Sequence, residues 1–332
     1  MAASHKAEVA RVFIRKNQRG ELSARGIATA AGKNVLVSRE AYIKANSGRR
    51  VTRTVILTSA AMLCFAANSL LCRLALAPKL IDPATFTSVR VLSAATMLSI
   101  VVWLRRRHLP RLSHANPRSI AALFAYLIFF SFAYTRLSAG TGALILIGGV
   151  QLTMFGIALH EGERFSLPSW AGLGLALLGV LYLVLPGVSA PDPLGAALMA
   201  MSGIAWGFFS LLARGADHPV ESNADNLLWC LLPAALVNLC YLGDFNGTSA
   251  GFGLAIASGA VATGFGYIVW YLALRDLSAA HAATVQLSMP AIAALGGVAF
   301  LAEPLSLRLL IASVAMLGGI AIVLTRRSHA VP

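Results

Sequence analysis

Charged side chains are scarce in this chain: Asp, Glu, Lys and Arg make up 12% of its 332 residues, against about 25% in a soluble globular domain. With 58% hydrophobic residues and a mean hydropathy of +0.74, that scarcity excludes an ordinary water-soluble fold and points to a polytopic membrane protein. Cysteine is equally thin. Cys64, Cys72, Cys230 and Cys240 fall inside apolar segments, with neither CxxC spacing nor a His at zinc-ligand intervals, so no disulfide framework or metal site is indicated and free buried thiols are expected. A Walker A glycine loop is missing, which argues against ATP-driven pumping by this chain alone. No Asp or Glu stands at the centre of an apolar run, so the mid-membrane carboxylate relay common in proton-driven carriers is missing too. No motif asks for a cofactor.

What is present is a series of apolar runs. A run of about 20 residues crosses the hydrocarbon core as a helix, and ten occur, near 54–77, 84–104, 119–138, 140–160, 168–186, 194–213, 224–242, 251–274, 279–302 and 305–325. The breaks between them carry turn chemistry, as in APKLIDP, PGVSAPDP and GDFNGTSAG. Lys and Arg are retained on the cytoplasmic side. Across alternate connections one side holds 22 of them, 12 in residues 1–53, and the other holds Lys79, Arg136 and Arg308. Both termini are therefore expected in the cytoplasm of a multi-pass inner or plasma membrane protein. The net charge of +14 becomes a topology signal, and nucleic acid loses its main support as a partner. Residues 1–53 are read as a basic, disordered cytoplasmic tail near anionic headgroups, with a targeting extension or an upstream start codon as alternatives; 326–332 form a second, short tail.

An internal repeat organises the spans. Residues 134–184 align without a gap to 274–324, an offset of 140, so that Gly156 matches Gly296, Glu163 matches Glu303, Ser166 matches Ser306 and Gly179 matches Gly319. Upstream, FAANSLLCR (65–73) echoes WGFFSLLAR (206–214), ending in Arg73 and Arg214. Five spans separate equivalent positions, and an odd number inverts the second copy. The expected fold is an all-α integral membrane protein with ten transmembrane helices arranged as two inverted five-helix repeats, 54–186 and 194–325. Such halves can exchange conformations at nearly equal energy, opening a central site to one face and then the other.

At this point the chain resembles the EamA branch of the drug/metabolite transporter superfamily. The resemblance is carried by CFAANSLLCRLAL (64–76), DPATFTSVRVLSAA (82–95) with Arg90, the LSAGTGA and LSAAHAA openings of spans four and nine, and the GERFS and AEPLS junctions. It covers about 54–325 and implies export of amino acids, other small metabolites or drugs. Val150 stands where the family usually has a proline in span four, whereas span nine retains Pro290.

Polar groups at membrane depth are expected to face the bundle interior. Asn68 and Gln151 lie near their span centres, and His281, Thr284 and Ser288 form a stripe at i, i+3 and i+7 that ends beside Pro290, whose ring frees a carbonyl on the preceding turn. Cavity lining and interhelical hydrogen-bond glue both fit these residues. Trp206 and Tyr267, with Tyr126, Tyr134, Trp270 and Tyr271, could stack on a substrate or simply pack. Arg90, two turns inside span two, could meet a substrate carboxylate, tie span two to free carbonyls, or snorkel.

The stretch LHEGERFS (159–166) looks catalytic, but HExxH fails at Arg164, and its repeat counterpart FLAEPLSL keeps only the Glu and the Ser. Glu163 and Glu303 are better read as corner residues, gating or hinge-like, whose carboxylates accept hydrogen bonds from the first-turn amides of the following helix. The expected function is efflux of small metabolites, amino acids or related amphipathic compounds, by facilitated movement or exchange with proton coupling left open, with a small-molecule substrate and the lipid bilayer as partners and no enzymatic activity. A membrane-embedded enzyme and a transporter-like sensor are the alternatives. The charge asymmetry predicts that a reporter fused after Arg327 reads as cytoplasmic; a periplasmic reading overturns the orientation.

Overall fold

A computed structural model describes residues 32–110, 112, 115–162, 165–187, 190–213, 217–277 and 279–327, with side chains from Val51 onward except at 279–280 and 325–327. Inside hydrocarbon every backbone N–H and C=O must be satisfied within the chain, and the helix does this segment by segment. The elements are α1 (Gly32–Leu76), α2 (Pro83–Arg106), α3 (Pro117–Tyr134), α4 (Ala139–His160), α5 (Leu167–Val184), α6 (Pro193–Leu212) and α7 (Pro219–Cys240). Next comes α8 in three pieces, Ser249–Ile256, a π-helical stretch Ala257–Phe265, and Gly266–Leu274. Then α9 runs in two pieces, Ala279–Gln286 and Ser288–Leu301, and α10 spans Leu307–Arg327.

The helices begin where the sequence places its punctuation. Pro83, Pro117 and Pro193 occupy first helical positions, where a missing N–H costs nothing. Just before them, the side chains of Asp82, Asn116 and Asp192 accept hydrogen bonds from the amides of Thr85, Arg118 and Gly195.

Among the described residues nine helices are long and apolar enough to cross a membrane. The tenth, α7, has the length but carries Glu221 and Asp225. It starts at Pro219 rather than near 224, which places Asp225 in the second turn and buries it. Helix α1 also starts earlier than expected, since no proline interrupts 32–53; the expected tail over residues 1–31 lies outside the described residues. Two units are distinguished, Met1–Val51 and Thr52–Pro332, and the bundle is the second. Helix α9 breaks at Leu287 because Pro290 cannot donate to Gln286, and the Leu287 amide turns instead to the Thr284 carbonyl at 3.1 Å.

Packing follows the repeat. Helices α2 and α7, α4 and α9, and α5 and α10 each meet their own counterpart, while α3 against α7 mirrors α8 against α2. The pairing of α4 with α6 has its image where Gly296 of α9 lies against Leu70 of α1. Equivalent corners also share a backbone feature: Gly162 and Ala302, 140 positions apart, both take left-handed φ, +87° and 52°. Ala302 ends α9 with the Glu303 amide donating back to the Gly297 carbonyl, and Pro304 follows.

The repeated glycines serve one crossing. Gly172, Ala176 and Gly179 of α5 lie against Ala312, Met316 and Gly319 of α10, backbone to backbone, as small residues permit in lipid, where close packing replaces hydrophobic collapse. A Cβ at Gly179 would stand 2.9 Å from the Met316 amide nitrogen. Gly179→Leu is therefore expected to destabilise the protein by about 1–3 kcal/mol, read as a lower unfolding midpoint in detergent, while Gly174→Leu at an open site leaves the midpoint unchanged.

Candidate functional site

Helices from both halves converge on one buried polar and aromatic cluster. In the first half, α1 supplies Phe65, Asn68 and Cys72, α2 supplies Arg90, and α3 supplies Tyr126 and Phe130. The second half brings Trp206 on α6 and Ser258, Tyr267 and Tyr271 on α8. The spacing 126, 130, 134 puts three aromatics on one stripe of α3, with ring centroids 5.4 Å and then 4.7 Å apart.

The halves meet through two sets of contacts. Ser258 Oγ donates to Asn68 Oδ1 at 2.7 Å, joining the π-helical part of α8 to α1; π-helical turns are often found at functional sites. Trp206 lies 4.7 Å from Tyr126 and stacks on Tyr267 at 5.7 Å and 18°. Arg90 is 0% exposed. Its Nη2 donates to Tyr126 Oη at 3.2 Å, and its guanidinium carbon lies 4.8 Å from the centre of the Phe130 ring.

A second constellation lies at one face of the bundle, the face where 77–82 join α1 to α2. Glu303 pairs with Arg73 Nε at 3.1 Å and accepts from the Ala139 amide at 2.9 Å, while Arg73 Nη1 donates to the Tyr134 carbonyl at 3.2 Å. One carboxylate thus fastens α1, the first turn of α4 and the α9–α10 connection. Two further ties join the halves on this face. Asp82 and Leu80 pair backbone to backbone with Asn246 and Thr248, at 2.8 Å each, and Arg136 meets Asp192 at 3.3 Å.

The structure thus brings together Asn68, Arg90, Trp206 and Tyr267 of the residues singled out in the sequence. Gln151 is half-buried on α4 and makes no hydrogen bond among the described residues. The stripe of His281, Thr284 and Ser288 is exposed, outside the buried cluster, and Ser288 Oγ donates to the Val285 carbonyl at 2.7 Å. Pro290 sits, buried, just after the break in α9. Glu163 lies outside the described residues. Glu303 differs from expectation in its partner: the first turn of α10 is capped by Ser306, whose Oγ accepts from the Leu309 amide at 3.1 Å, so the carboxylate is free to reach across to α4 and Arg73.

Sequence reasoning missed Ser258, Phe130 and Arg73 as members. Ser258 sits in a run of small residues with nothing periodic to mark it, and only the approach of α1 gives it a partner. Elsewhere, polar residues act as glue: Thr85 Oγ1 donates to Asn238 Oδ1 at 3.0 Å and Asn238 Nδ2 to Ser88 Oγ at 3.1 Å, binding α2 to α7.

Two stretches, 52–185 and 193–325, match the model of the EamA-like transporter family. An uncharacterized protein of Pseudomonas aeruginosa is 49% identical over 275 residues, 83% of this chain and 96% of its own. An uncharacterized transporter of Archaeoglobus fulgidus is 28% identical over 262 residues, covering 75% of this chain and 91% of its own. One of Bacillus subtilis is 26% identical over 241 residues, 70% of this chain and 81% of its own. A crystal structure at 20% identity superposes with a TM-score of 0.58 over 83% of this chain and 99% of its own, a likeness of fold alone.

Ser258→Ala strands the Asn68 amide oxygen in a buried site and is expected to cost about 1 kcal/mol of stability. Tyr267→Phe removes a buried hydroxyl that has no hydrogen-bond partner among the described residues and should stay within about 0.5 kcal/mol of wild type. Thermal unfolding in detergent compares the two; equal losses would contradict the network described.

Proposed function

The chain belongs to the EamA-like transporter family, and on that premise we propose that it exports a small metabolite, an amino acid or a related amphipathic compound, by alternating access between its inverted halves. The single observation that carries this reading is the cluster itself. Its members come from both halves, and the bonds that join them, Ser258 to Asn68 and Trp206 to Tyr126, are contacts that an exchange of conformation between the halves would remake. Asn68, Arg90, Trp206 and Tyr267 are the substrate-contacting residues in this reading, with Gln151 reached only when the bundle opens.

The retention of Lys and Arg supports an orientation with both termini in the cytoplasm of the inner membrane. The face closed by Arg73, Glu303 and Ala139 is then the outer one, and Glu303 is its latch. On the opposite side, the amino-terminal half of α9 exposes His281 and Thr284. Polar side chains facing lipid are costly, so a water-filled inward opening at that end of α9 is the better account. The break beside Pro290 gives α9 a place to bend, and Glu163, the repeat counterpart of Glu303, is assigned the matching corner on the cytoplasmic side.

Purified protein in liposomes is expected to move at least one member of a panel of amino acids, nucleosides and amphipathic ions down its gradient; movement of none overturns the carrier reading. Glu303→Gln weakens the latch without touching the cluster. It should lower the maximal rate by roughly three- to tenfold, the scale of about 1 kcal/mol, with substrate affinity kept. An unchanged rate removes Glu303 from the cycle.

A further inference from the structure

Arg90 presents an imbalance that the packing does not resolve. It lies about 10 Å of helical rise below the start of α2, fully buried, and both Nε and Nη1 lack a hydrogen-bond partner among the described residues. Its described contacts are one bond from Nη2 to Tyr126 Oη and the ring faces of Phe130 and Tyr126, at 4.8 Å and 5.6 Å. The ion pairs among the described residues engage Arg73, Arg106 and Arg136 and leave Arg90 without a counter-ion. Cation–π contact and one neutral hydroxyl do not offset the removal of a full charge from water. An anion belongs in this site at some stage of the protein's working cycle.

The surroundings say what kind. Each unpaired nitrogen shares an edge of the guanidinium fork with Nη2, and since Nη2 gives one of its two N–H groups to Tyr126, one edge still presents two free donors, the geometry that matches a carboxylate bidentately. Around it stand Tyr126, Phe130, Trp206 and Tyr267, flat apolar faces suited to a planar body. Tyr267 adds a buried hydroxyl with no hydrogen-bond partner among the described residues. Against the backbone of Arg90 lies the π-helical stretch of α8, where Gly259 meets the Arg90 carbonyl and the Ser93 hydroxyl with no room for a Cβ. The helix carrying the cation is therefore in direct contact with the segment that carries Ser258.

We propose that Arg90 is the binding-site counter-ion of the transported molecule, and that this molecule is a small carboxylate with an aromatic or similarly flat apolar body. The proposal rests on the carrier reading above and names the substrate class of that site. The carboxylate enters as the halves exchange and Tyr126 and Phe130 move off the guanidinium; it supplies the charge that these rings only partly screen. A simple carboxylic acid and an amino acid share this chemistry, and the free amino group separates them.

The test uses the full-length protein in detergent, with phenylacetate, phenylalanine, phenylacetamide and phenylethylamine as probes. Binding is read from the shift in unfolding midpoint and, in liposomes, from uptake of the labelled compounds. One or both carboxylates should raise the midpoint and be taken up, while the amide and the amine do neither; phenylacetate alone or phenylalanine alone tells which source fits. Arg90→Lys keeps the charge but loses the fork, and should weaken carboxylate binding by about tenfold to a hundredfold. Arg90→Gln should abolish it. The proposal fails if neither carboxylate shifts the midpoint, if amide or amine binds as well as the carboxylates, or if folded Arg90→Gln binds like wild type. Where Arg90→Gln does not fold, the matched compounds on wild-type protein decide. Uptake of the amide or amine without the carboxylates leaves the carrier reading standing and removes this proposal; uptake of nothing from the broader panel removes the carrier reading instead.

Discussion

A polar group inside a bilayer has no water to fall back on, and most of this structure follows from that constraint. It makes the chain helical throughout the hydrocarbon, and it places Asp or Asn caps and first-turn prolines at the helix starts. It also favours partners on other helices for buried polar side chains. Thr85, Ser88 and Asn238 find them between α2 and α7, and Asn68 and Ser258 do so between α1 and α8. Among the described residues several buried hydroxyls, such as those of Thr58, Ser69 and Thr263, also lack a hydrogen-bond partner, but at the Arg90 fork the uncompensated group is a cation, and there the structure points to chemistry rather than to packing.

The same constraint shapes how helices approach. Lipid tails are as apolar as Leu, so α5 and α10 are held by close contact over Gly172, Gly179 and Gly319 rather than by burial of large side chains. The large side chains on these helices, such as Leu178 and Val314, point outward and are exposed. Close packing of this kind is specific, and each half contributes one side of this crossing because the sequence recurs.

Polar ties and aromatic contacts divide the work between the closed face and the interior. At the closed face, Glu303 gathers an arginine, a helix-terminal amide and a connection between spans, and each partner belongs to a different helix. The interior cluster is softer. Tilted ring pairs such as Tyr126 with Phe130 tolerate small rotations, so the core can rearrange without opening a void.

Much of the architecture was legible in the sequence. Span number, the inverted duplication at an offset of 140 and the matched corners follow from hydropathy, turn residues and self-similarity, because each of these is a local or periodic property. Partners were not legible, because periodicity fixes which face a residue takes but not which helix that face meets. The sequence pattern of His281, Thr284 and Ser288 fitted a cavity stripe and interhelical glue equally, and only the neighbours of α9 show that it is exposed. Glu303 looked like a cap for the helix that follows it, until Ser306 took that role and left the carboxylate for α4 and α1. Even the start of α7 escaped, since Glu221 and Asp225 lowered its hydropathy while Pro219 and a buried face kept it helical. The sequence alone therefore determined a membrane bundle of two inverted repeats, for these depend on patterns along one chain. Only the tertiary structure decided that Arg90 stands among rings without a counter-ion among the described residues, because the absence of a partner is a fact about every helix that surrounds it.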